Sequence, residues 1–277
     1  MKTKILWMGI AVIIAVFAMT ANVHADPLDS FKGETGTIRI AGGTAHIPVM
    51  KEAARQIMSV NPAIKITIAG GGSGVGIKQV GEELVDIGNS GRKPTDGEIA
   101  RYDLKMFEWA IDGVGLVVNP KNPVRGLSKS TLQDIFAGRV VNWKSLGGVD
   151  KGINLYTRDE ASGTREVFWQ MALDQKEIAS KANVVVSNGA MKSAVAGDPY
   201  GIGYVSVGHI DQTVAPVALD GISPTLENVR DRKYTISRGL FSNTRKEPKG
   251  LTKKFIDFLF TPEGQKIAAD NGFIPVQ

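Results

Sequence analysis

The chain has 277 residues, a formal net charge of +5 and 43% hydrophobic residues. This length and composition fit one large or two ordinary globular domains and exclude a disordered chain. Because cysteine is absent, disulfides, thiol chemistry and cysteine-ligated metal sites are excluded as well. Basic residues form no long run and only 7% of residues are aromatic, so the sequence predicts no nucleic-acid partner.

The N-terminal segment has the features of a secretory signal peptide. Lys2 and Lys4 precede an uncharged run at 5–19, and a small-x-small cleavage pattern follows at 23–25. The run is shorter than the about 20 apolar residues of a membrane-spanning helix, so a retained membrane anchor is the weaker alternative. Without a nearby cysteine, a lipid anchor is excluded. We therefore expect a signal peptide over 1–25, cleaved after Ala25, and a periplasmic or secreted protein.

Beyond this leader, strand-like and helix-like segments alternate, which is typical of an α/β fold. In the first part of the chain, short apolar and alternating segments predict strands at 37–41, 64–69 and 86–89. Apolar residues at helical spacing predict one helix from Ile47 to the Asn61-Pro62 stop and a second helix over 75–84.

The same alternation continues past residue 110. Strands are predicted at 114–118, 153–157, 202–205 and 214–218, and helices at 131–136, 165–173, 251–260 and 262–270. The sequence contains neither an internal repeat nor a low-complexity segment.

Three short loops share one design, in which a strand runs into glycine and hydroxyl residues that open a helix. They are 42–45, 72–74 and 162–164. Free backbone N–H groups and the helix dipole make such a helix N-terminus a site for anions. Each loop taken alone is better explained as an ordinary Ser/Thr helix cap. The presence of three such loops changes this interpretation. Strand ends of an α/β fold open into its ligand cleft, so we expect the three loops to surround one small anion together.

The motifs of common enzymes are incomplete in this chain. The run 71–75 lacks the last glycine of G-x-S-x-G, and the same region lacks the Gly-Lys-Ser/Thr ending of a P-loop. After the leader only His46 and His209 remain. We interpret His46 as a surface or wall residue rather than a general base, and His209 as a structural residue. The sequence thus predicts no catalytic residue, no metal and no cofactor. The alternatives from other classes are a secreted phosphate-ester hydrolase that uses Ser73 or Ser162, and a sensor or adhesion module.

Arg158 and Glu160 precede the third loop. They are two residues apart, so they lie on the same side of an extended strand. One interpretation is an exposed ion pair of little consequence. The other is that Arg158 faces the anion while Glu160 orients it, and the neighbouring loop at 162–164 favours this second interpretation.

Taken in order, the motifs of this chain resemble those of phosphate-binding proteins of Pst-type ABC transporters. The resemblance rests on 42–44, 70–74, 86–90 and 158–164, and also on 112–113, 136–138, 142–143, 201–204 and 234–238. It covers nearly all of the chain after the leader. It is specific as a set, whereas no single motif is.

The resemblance implies a type II periplasmic binding protein: an α/β chain with two lobes, a two-strand hinge and a ligand cleft between the lobes. The crossings between lobes are expected near 110–113 and 235–238. Lobe one would then be 26–111 with 238–277, and lobe two would be 112–237. The implied function is capture of inorganic phosphate by a monomer, without catalysis, and its delivery to an ABC transporter permease in the inner membrane.

The resemblance also implies a set of binding residues. Arg158 would supply the one full counter-charge, while the other members would donate hydrogen bonds from hydroxyl or backbone N–H groups. Those other members are Thr44, Ala45, Ser73, Ser90, Ser162, Gly163 and Thr164.

Gly91 departs from the family pattern. Several members have an aspartate at this position, which accepts the phosphate proton and repels fully ionised sulfate, while other branches manage with serine nearby. In this chain Glu160 is the remaining carboxylate near the motifs. Phosphate remains the first expectation, and another tetrahedral oxyanion (sulfate, molybdate or tungstate) is the alternative.

Overall fold

The computed structural model describes residues 26–276, so the predicted signal peptide lies outside the described residues. The strands are Gly36–Gly42 (β1), Ile64–Gly71 (β2), Ile87–Ser90 (β3), Leu104–Val118 (β4), Gly126–Leu127 (β5), Asn154–Arg158 (β6), Asn183–Val185 (β7), Gly201–Ser206 (β8), Ala215–Leu219 (β9), Ser237–Arg245 (β10) and Ile274–Pro275 (β11). The helices are Ile47–Val60 (α1), Ser73–Gly81 (α2), Asp96–Tyr102 (α3), Lys129–Phe136 (α4), Gly163–Met171 (α5), Asn188–Gly197 (α6), Leu226–Arg230 (α7), Gly250–Leu259 (α8) and Pro262–Asp270 (α9). Within 26–276, no helix has the length and apolar content needed to cross a membrane.

Every strand and helix predicted from the sequence has an observed counterpart, but α2 is shorter than predicted. It ends at Gly81 rather than at residue 84, and Glu83 just beyond it has a left-handed φ of 58° that is incompatible with a continuing helix. The elements that we did not predict include α3, α6, β10 and the first ten residues of β4. At the start of α3, Thr95 and Glu98 form a capping box in which each side chain bonds the other's backbone N–H.

One lobe is built on the strand order β2-β1-β3-β10 and the first part of β4. β1 pairs in parallel with β2 and β3, whereas β10 runs antiparallel to β3 and β4. The apolar face of α1, including Val49, Met50 and Ile57, is fully buried in the core of this lobe together with Trp109. Parallel strands that each end in a helix-opening loop place those loops at one edge of the sheet.

The other lobe contains the second part of β4, with β8 and β9 antiparallel to it, β6 parallel to β8, and β7 parallel to β6. Its core is aromatic. The rings of Phe168 and Tyr204 stack with their centroids 4.0 Å apart, and Phe136 packs 4.9 Å from Phe168. Because Phe168 belongs to α5, this packing fixes the helix whose first turn faces the opposite lobe.

β4 and β10 connect the two lobes. β4 is 15 residues long; up to Gly113 it pairs with β10, and from Val114 onward it pairs with β8 and β9. Arg238 of β10 lies directly opposite Asp112 of β4 in this ladder. The crossings predicted near 110–113 and 235–238 lie at this junction, and the domain boundaries drawn from them stay a prediction.

Candidate anion-binding site

A small cavity lies between the two lobes. Its volume is about 10 Å³, measured as the space open to the centre of a water-sized sphere, far below the roughly 300–1,000 Å³ of cavities that hold drug-sized ligands. It is lined by Gly43, Thr44, Ala45, His46, Gly72, Ser73, Gly91, Arg158, Ser162, Gly163, Thr164 and Arg238. The size and the mostly polar lining suit a small ion.

Three helices begin at this cavity. α1 begins directly after its N-cap residue His46, and α2 begins directly after its N-cap residue Gly72. In neither helix does the N-cap side chain bond the first N–H groups. α5 starts behind Ser162, whose hydroxyl accepts a hydrogen bond from the Arg165 N–H. Since uncapped N–H groups and the positive ends of helix dipoles both favour negative charge, the convergence of these helices makes an anion site. Capping, the alternative for each loop alone, explains only the α5 loop.

The lobes meet closely around the cavity. The N–H of Gly74, in the first turn of α2, donates to the Ala161 carbonyl of the other lobe at 3.0 Å. A Cβ on Gly163 would overlap with the Ser73 hydroxyl, so only glycine allows the first turn of α5 to approach α2 this closely. The cavity is therefore enclosed by loops from both lobes.

Seven of the eight residues implied by the family resemblance line this cavity: Thr44, Ala45, Ser73, Arg158, Ser162, Gly163 and Thr164. The eighth, Ser90, does not line it. Ser90 is fully buried one residue before Gly91, and its hydroxyl accepts a hydrogen bond from Asn243 Nδ2 at 2.9 Å. Its position therefore supports the lining loop rather than the cavity itself.

Arg158 is only 2% exposed and lies at the end of β6. Its Nε and Nη2 donate to the carbonyls of Val185 and Val186 at 3.0 and 3.2 Å, while Nη1 has no hydrogen-bond partner among the described residues. Burial lowers the pKa of this guanidinium from its usual value, which means that its charge is poorly solvated. A buried cation with a free donor is suited to an anion in the adjoining cavity.

The predicted role of Glu160 is wrong. β6 ends at Arg158, so Glu160 lies in an exposed turn and not on the same strand face as the arginine. The carboxylate near Arg158 is that of Asp159, with 3.7 Å between Asp159 Oδ2 and Arg158 Nη2. Glu160 therefore neither pairs with Arg158 nor lines the cavity.

A second guanidinium also reaches the cavity, so Arg158 is not the one cation there. Arg238 Nη1 donates to Thr164 Oγ1 at 2.9 Å and to the Gly91 carbonyl at 3.3 Å. Its Nε and Nη2 both donate to Asp112 Oδ2, at 3.0 and 2.8 Å. Because this buried carboxylate neutralises Arg238, Arg158 keeps the less compensated charge. Arg238 was missed because the sequence places it in a hinge motif, far from the loops.

His46 forms part of the cavity wall, which was one of its two predicted positions; the other, the protein surface, is wrong. It is completely buried, and its ring lies edge-on to Trp109 with 5.6 Å between centroids. Burial, with a further contribution from the charge of Arg238, lowers the pKa of His46 to about 3. The imidazole is therefore neutral at physiological pH and adds no charge to the site.

Gly91 is explained by its contact with Arg238. A Cβ at position 91 would lie 2.7 Å from Arg238 Nη1, closer than carbon and nitrogen pack. The arginine thus fills the space into which a side chain at position 91 would extend. None of the described residues that line the cavity is Asp or Glu, so its charged lining is entirely positive.

A family model and several known proteins similar to this chain all indicate the same family. Residues 30–263 match the PBP superfamily domain. The chain is 39% identical over 254 residues to the phosphate-binding protein PstS of Bacillus subtilis, covering 90% of this chain and 84% of that protein. It is 28% identical over 253 residues to PstS of Borreliella burgdorferi, covering 87% of this chain and 90% of that protein.

Solved structures of similar proteins have the same fold. A phosphate ABC transporter substrate-binding protein from Clostridium perfringens, solved with bound phosphate, matches with a TM-score of 0.82 at 34% identity, over 87% of this chain and 100% of that one. An ABC-type phosphate transport receptor from Vibrio cholerae matches with a TM-score of 0.69 at 31% identity, over 86% and 99% of the two chains. The predicted two-lobed α/β fold is confirmed, and the chain belongs to the PBP superfamily and, within it, to the PstS family of solute-binding proteins.

Proposed function

We propose that this protein captures inorganic phosphate in the cavity between its lobes and delivers it to the permease of an ABC transporter. The observation that carries the proposal is the cavity where three helix N-termini meet beside Arg158, a buried cation with an unused donor. The bound phosphate in the Clostridium perfringens relative supports the choice of anion.

The energetics explain why the site needs so many donors. Removing a bare dianion from water costs tens of kcal/mol in the idealised limit. A hydrogen bond to a charged group returns only about 1.5–3 kcal/mol net. A closed cage of N–H groups, hydroxyls and arginine can offset this cost only when donors from both lobes act together. Closure of the lobes about the hinge is therefore part of binding.

The domain organisation follows from this proposal. Lobe one comprises 26–111 and 238–277, lobe two comprises 112–237, and the short segments between them bend. The protein acts as a monomer outside the cytoplasmic membrane, after removal of 1–25, and the permease takes phosphate from the closed form. Like its relatives, it is a binding protein and not an enzyme. A hydrolase is not favoured, because the one histidine in the cavity wall is neutral and has no serine as a hydrogen-bond partner among the described residues.

A second candidate ligand is another tetrahedral oxyanion, such as sulfate, molybdate or tungstate. The observation that favours it is Gly91. With glycine at this position, none of the described residues that line the cavity has a carboxylate that could accept a hydrogen bond from a protonated ligand oxygen. A fully ionised oxyanion is therefore not repelled by a charge in this wall.

Calorimetric titration distinguishes the two candidates. The protein beginning at Asp26, stripped of bound phosphate, is titrated with phosphate, sulfate and molybdate. We expect tight binding of phosphate and weaker binding of sulfate. Tighter binding of sulfate or molybdate would reassign the ligand, and absence of binding by all three anions would contradict the proposed function.

Gly91→Ala should weaken phosphate binding by roughly tenfold, because the added methyl displaces the Arg238 guanidinium and breaks its bond to Thr164. Gly97→Ala is the control, since Gly97 is exposed and its Cβ would meet no atom closer than 4.0 Å. Titration calorimetry of both variants measures the effect. If Gly91→Ala binds phosphate as tightly as the unmodified protein, the position of Arg238 is not required.

A further inference from the structure

Asn188 connects the two lobes beside the cavity. It is fully buried at the first position of α6, next to the capping residue Ser187. Its backbone N–H donates to Thr44 Oγ1 at 3.2 Å, and its side-chain Nδ2 donates to the same oxygen at 3.1 Å. Thr44 and Asn188 belong to opposite lobes, so both bonds exist only when the lobes are closed.

The orientation of the Asn188 amide is fixed by its other contact. The backbone N–H of Ser206 donates to Asn188 Oδ1 at 3.0 Å. A backbone N–H can only donate, so the amide oxygen must face Ser206 and the NH₂ group must face the threonines. The direction of the hydrogen bonds to Thr44 follows without ambiguity.

These bonds determine what the threonine hydroxyls can do. A hydroxyl has two lone pairs and one proton, and both lone pairs of Thr44 are used by Asn188. Thr164 Oγ1 accepts from Arg238 Nη1 at 2.9 Å and has a longer contact of 3.5 Å with Asn188 Nδ2. Each hydroxyl retains only its proton for a ligand, so both are restricted to donating into the cavity.

The serines of the site differ. Ser73 Oγ accepts from the Gly91 N–H at 2.9 Å, and Ser162 Oγ accepts from the Arg165 N–H at 3.2 Å. Each of these hydroxyls keeps one lone pair, so each can accept a hydrogen bond from a P–OH group of the ligand. The cavity therefore has a threonine side that requires unprotonated oxygens and a serine side that tolerates a P–OH group.

We infer that Asn188 is a specificity-determining positioning residue: by restricting Thr44 and Thr164 to donation, it confines ligand protons to the two serines, so that the closed cavity prefers HPO4²⁻, with one proton, over H2PO4⁻, whose two protons would leave neither serine donating to the ligand. The inference rests on the proposed function. Replacing Asn188 with alanine frees a lone pair on each threonine, so a second ligand proton no longer has to be accepted on the serine side, where it would take the place of the hydrogen bond that the second serine donates. The preference for the dianion should weaken even where the cavity still closes.

The test compares phosphate affinity at about pH 5.5 and about pH 8, which lie on either side of the second ionisation of phosphate. We expect the affinity of the unmodified protein to rise on the order of tenfold over this interval, and that of Asn188→Ala to rise only a few-fold. Sulfate is measured in parallel, because it stays fully ionised and reports any titration of the protein itself. Ser187→Ala is the matched control: it removes the cap of α6, a bond from Ala190 N–H to Ser187 Oγ at 2.9 Å, and leaves the amide in place.

A ratio of the two affinities that is the same in Asn188→Ala as in the unmodified protein overturns the inference. If Asn188→Ala does not melt cooperatively, the isosteric Asn188→Asp decides. Its carboxylate keeps the Ser206 bond but accepts the Thr44 proton, so phosphate and sulfate affinity should both fall on the order of a hundredfold. Affinity retained in that variant overturns the inference too. Failure of the unmodified protein to bind phosphate would instead contradict the proposed function.

Discussion

Arg158→Ala should weaken phosphate binding by roughly two orders of magnitude, the largest effect on affinity that we expect from removing a single side chain. Truncation of one partner in a buried, hydrogen-bonded charge pair costs about 2–5 kcal/mol, because the remaining charge is left uncompensated. Arg238 cannot substitute for it, since Asp112 already neutralises that guanidinium at 2.8 Å. Titration calorimetry with phosphate measures the loss.

Two further variants make this result specific. Arg158→Lys keeps the charge but loses the forked geometry that bonds the Val185 and Val186 carbonyls, so its affinity should be intermediate. Arg55→Ala removes an arginine whose side chain is 65% exposed and paired with Glu52 on the surface, and it should bind phosphate normally. Unchanged affinity in Arg158→Ala would show that the anion is held elsewhere.

Asp112→Ala should reduce the free energy of unfolding by about 3–5 kcal/mol, because it leaves the Arg238 charge buried and unpaired. The side chains of Asp112 and Arg238 are 0% and 3% exposed, and Ser206 Oγ also donates to Asp112 Oδ1 at 2.8 Å. Burial raises the pKa of Asp112, and the adjacent guanidinium opposes that rise, so the carboxylate and the arginine depend on each other. Urea denaturation of the ligand-free protein measures the loss.

The double variant Asp112→Leu with Arg238→Met is the matched control. It removes both charges and fills a similar volume with apolar atoms, so its stability should approach that of the unmodified protein. Its phosphate affinity should nevertheless fall, since Thr164 loses its contact with Arg238 Nη1. A loss below about 1 kcal/mol in Asp112→Ala would mean that water solvates the Asp112–Arg238 ion pair, so that the pair contributes as little as an exposed one.

The three loops could be predicted because their chemistry is local in the sequence. Glycine and hydroxyl residues between a strand and a helix determine a helix N-terminus wherever the segment occurs. The role of Arg238 could not be predicted in this way. Its partner Asp112 is 126 residues away, and the two meet only because β10 pairs with β4.

β10 itself was missed because its sequence does not alternate between apolar and polar residues. Ser242 and Asn243 are both fully buried, one after the other. The fold accommodates them with specific partners: Ser242 Oγ donates to Asn89 Oδ1 at 2.8 Å, and Asn243 Nδ2 donates to the Gly88 carbonyl at 2.7 Å. Such buried polar residues remove the hydrophobic pattern on which strand prediction depends.

α3 was missed for a similar reason. None of its residues is buried, so it lacks the apolar face that reveals a helix. Its capping box at Thr95 and Glu98 was the available signal. In α6, Met191 and Val195 are buried four residues apart, which is a helical spacing that the short segment made easy to overlook.

The position of β10 also sets the order in which the chain can fold. This late strand lies between β3 and β4, which precede it by more than a hundred residues. The sheet of the lobe that contains β1 therefore has a gap until residues 237–245 are available. By contrast, β6, β7, β8 and β9 follow one another along the chain and pair with each other or with β4. During synthesis, the segment from β4 to β9 can assemble first, while β3, which pairs with β1 on its other side, must wait with one unpaired edge. We therefore expect the sheet that contains β1 to β3 to be the last part of the described chain to become native, and the open edge of β3 to need the most protection from aggregation on the way.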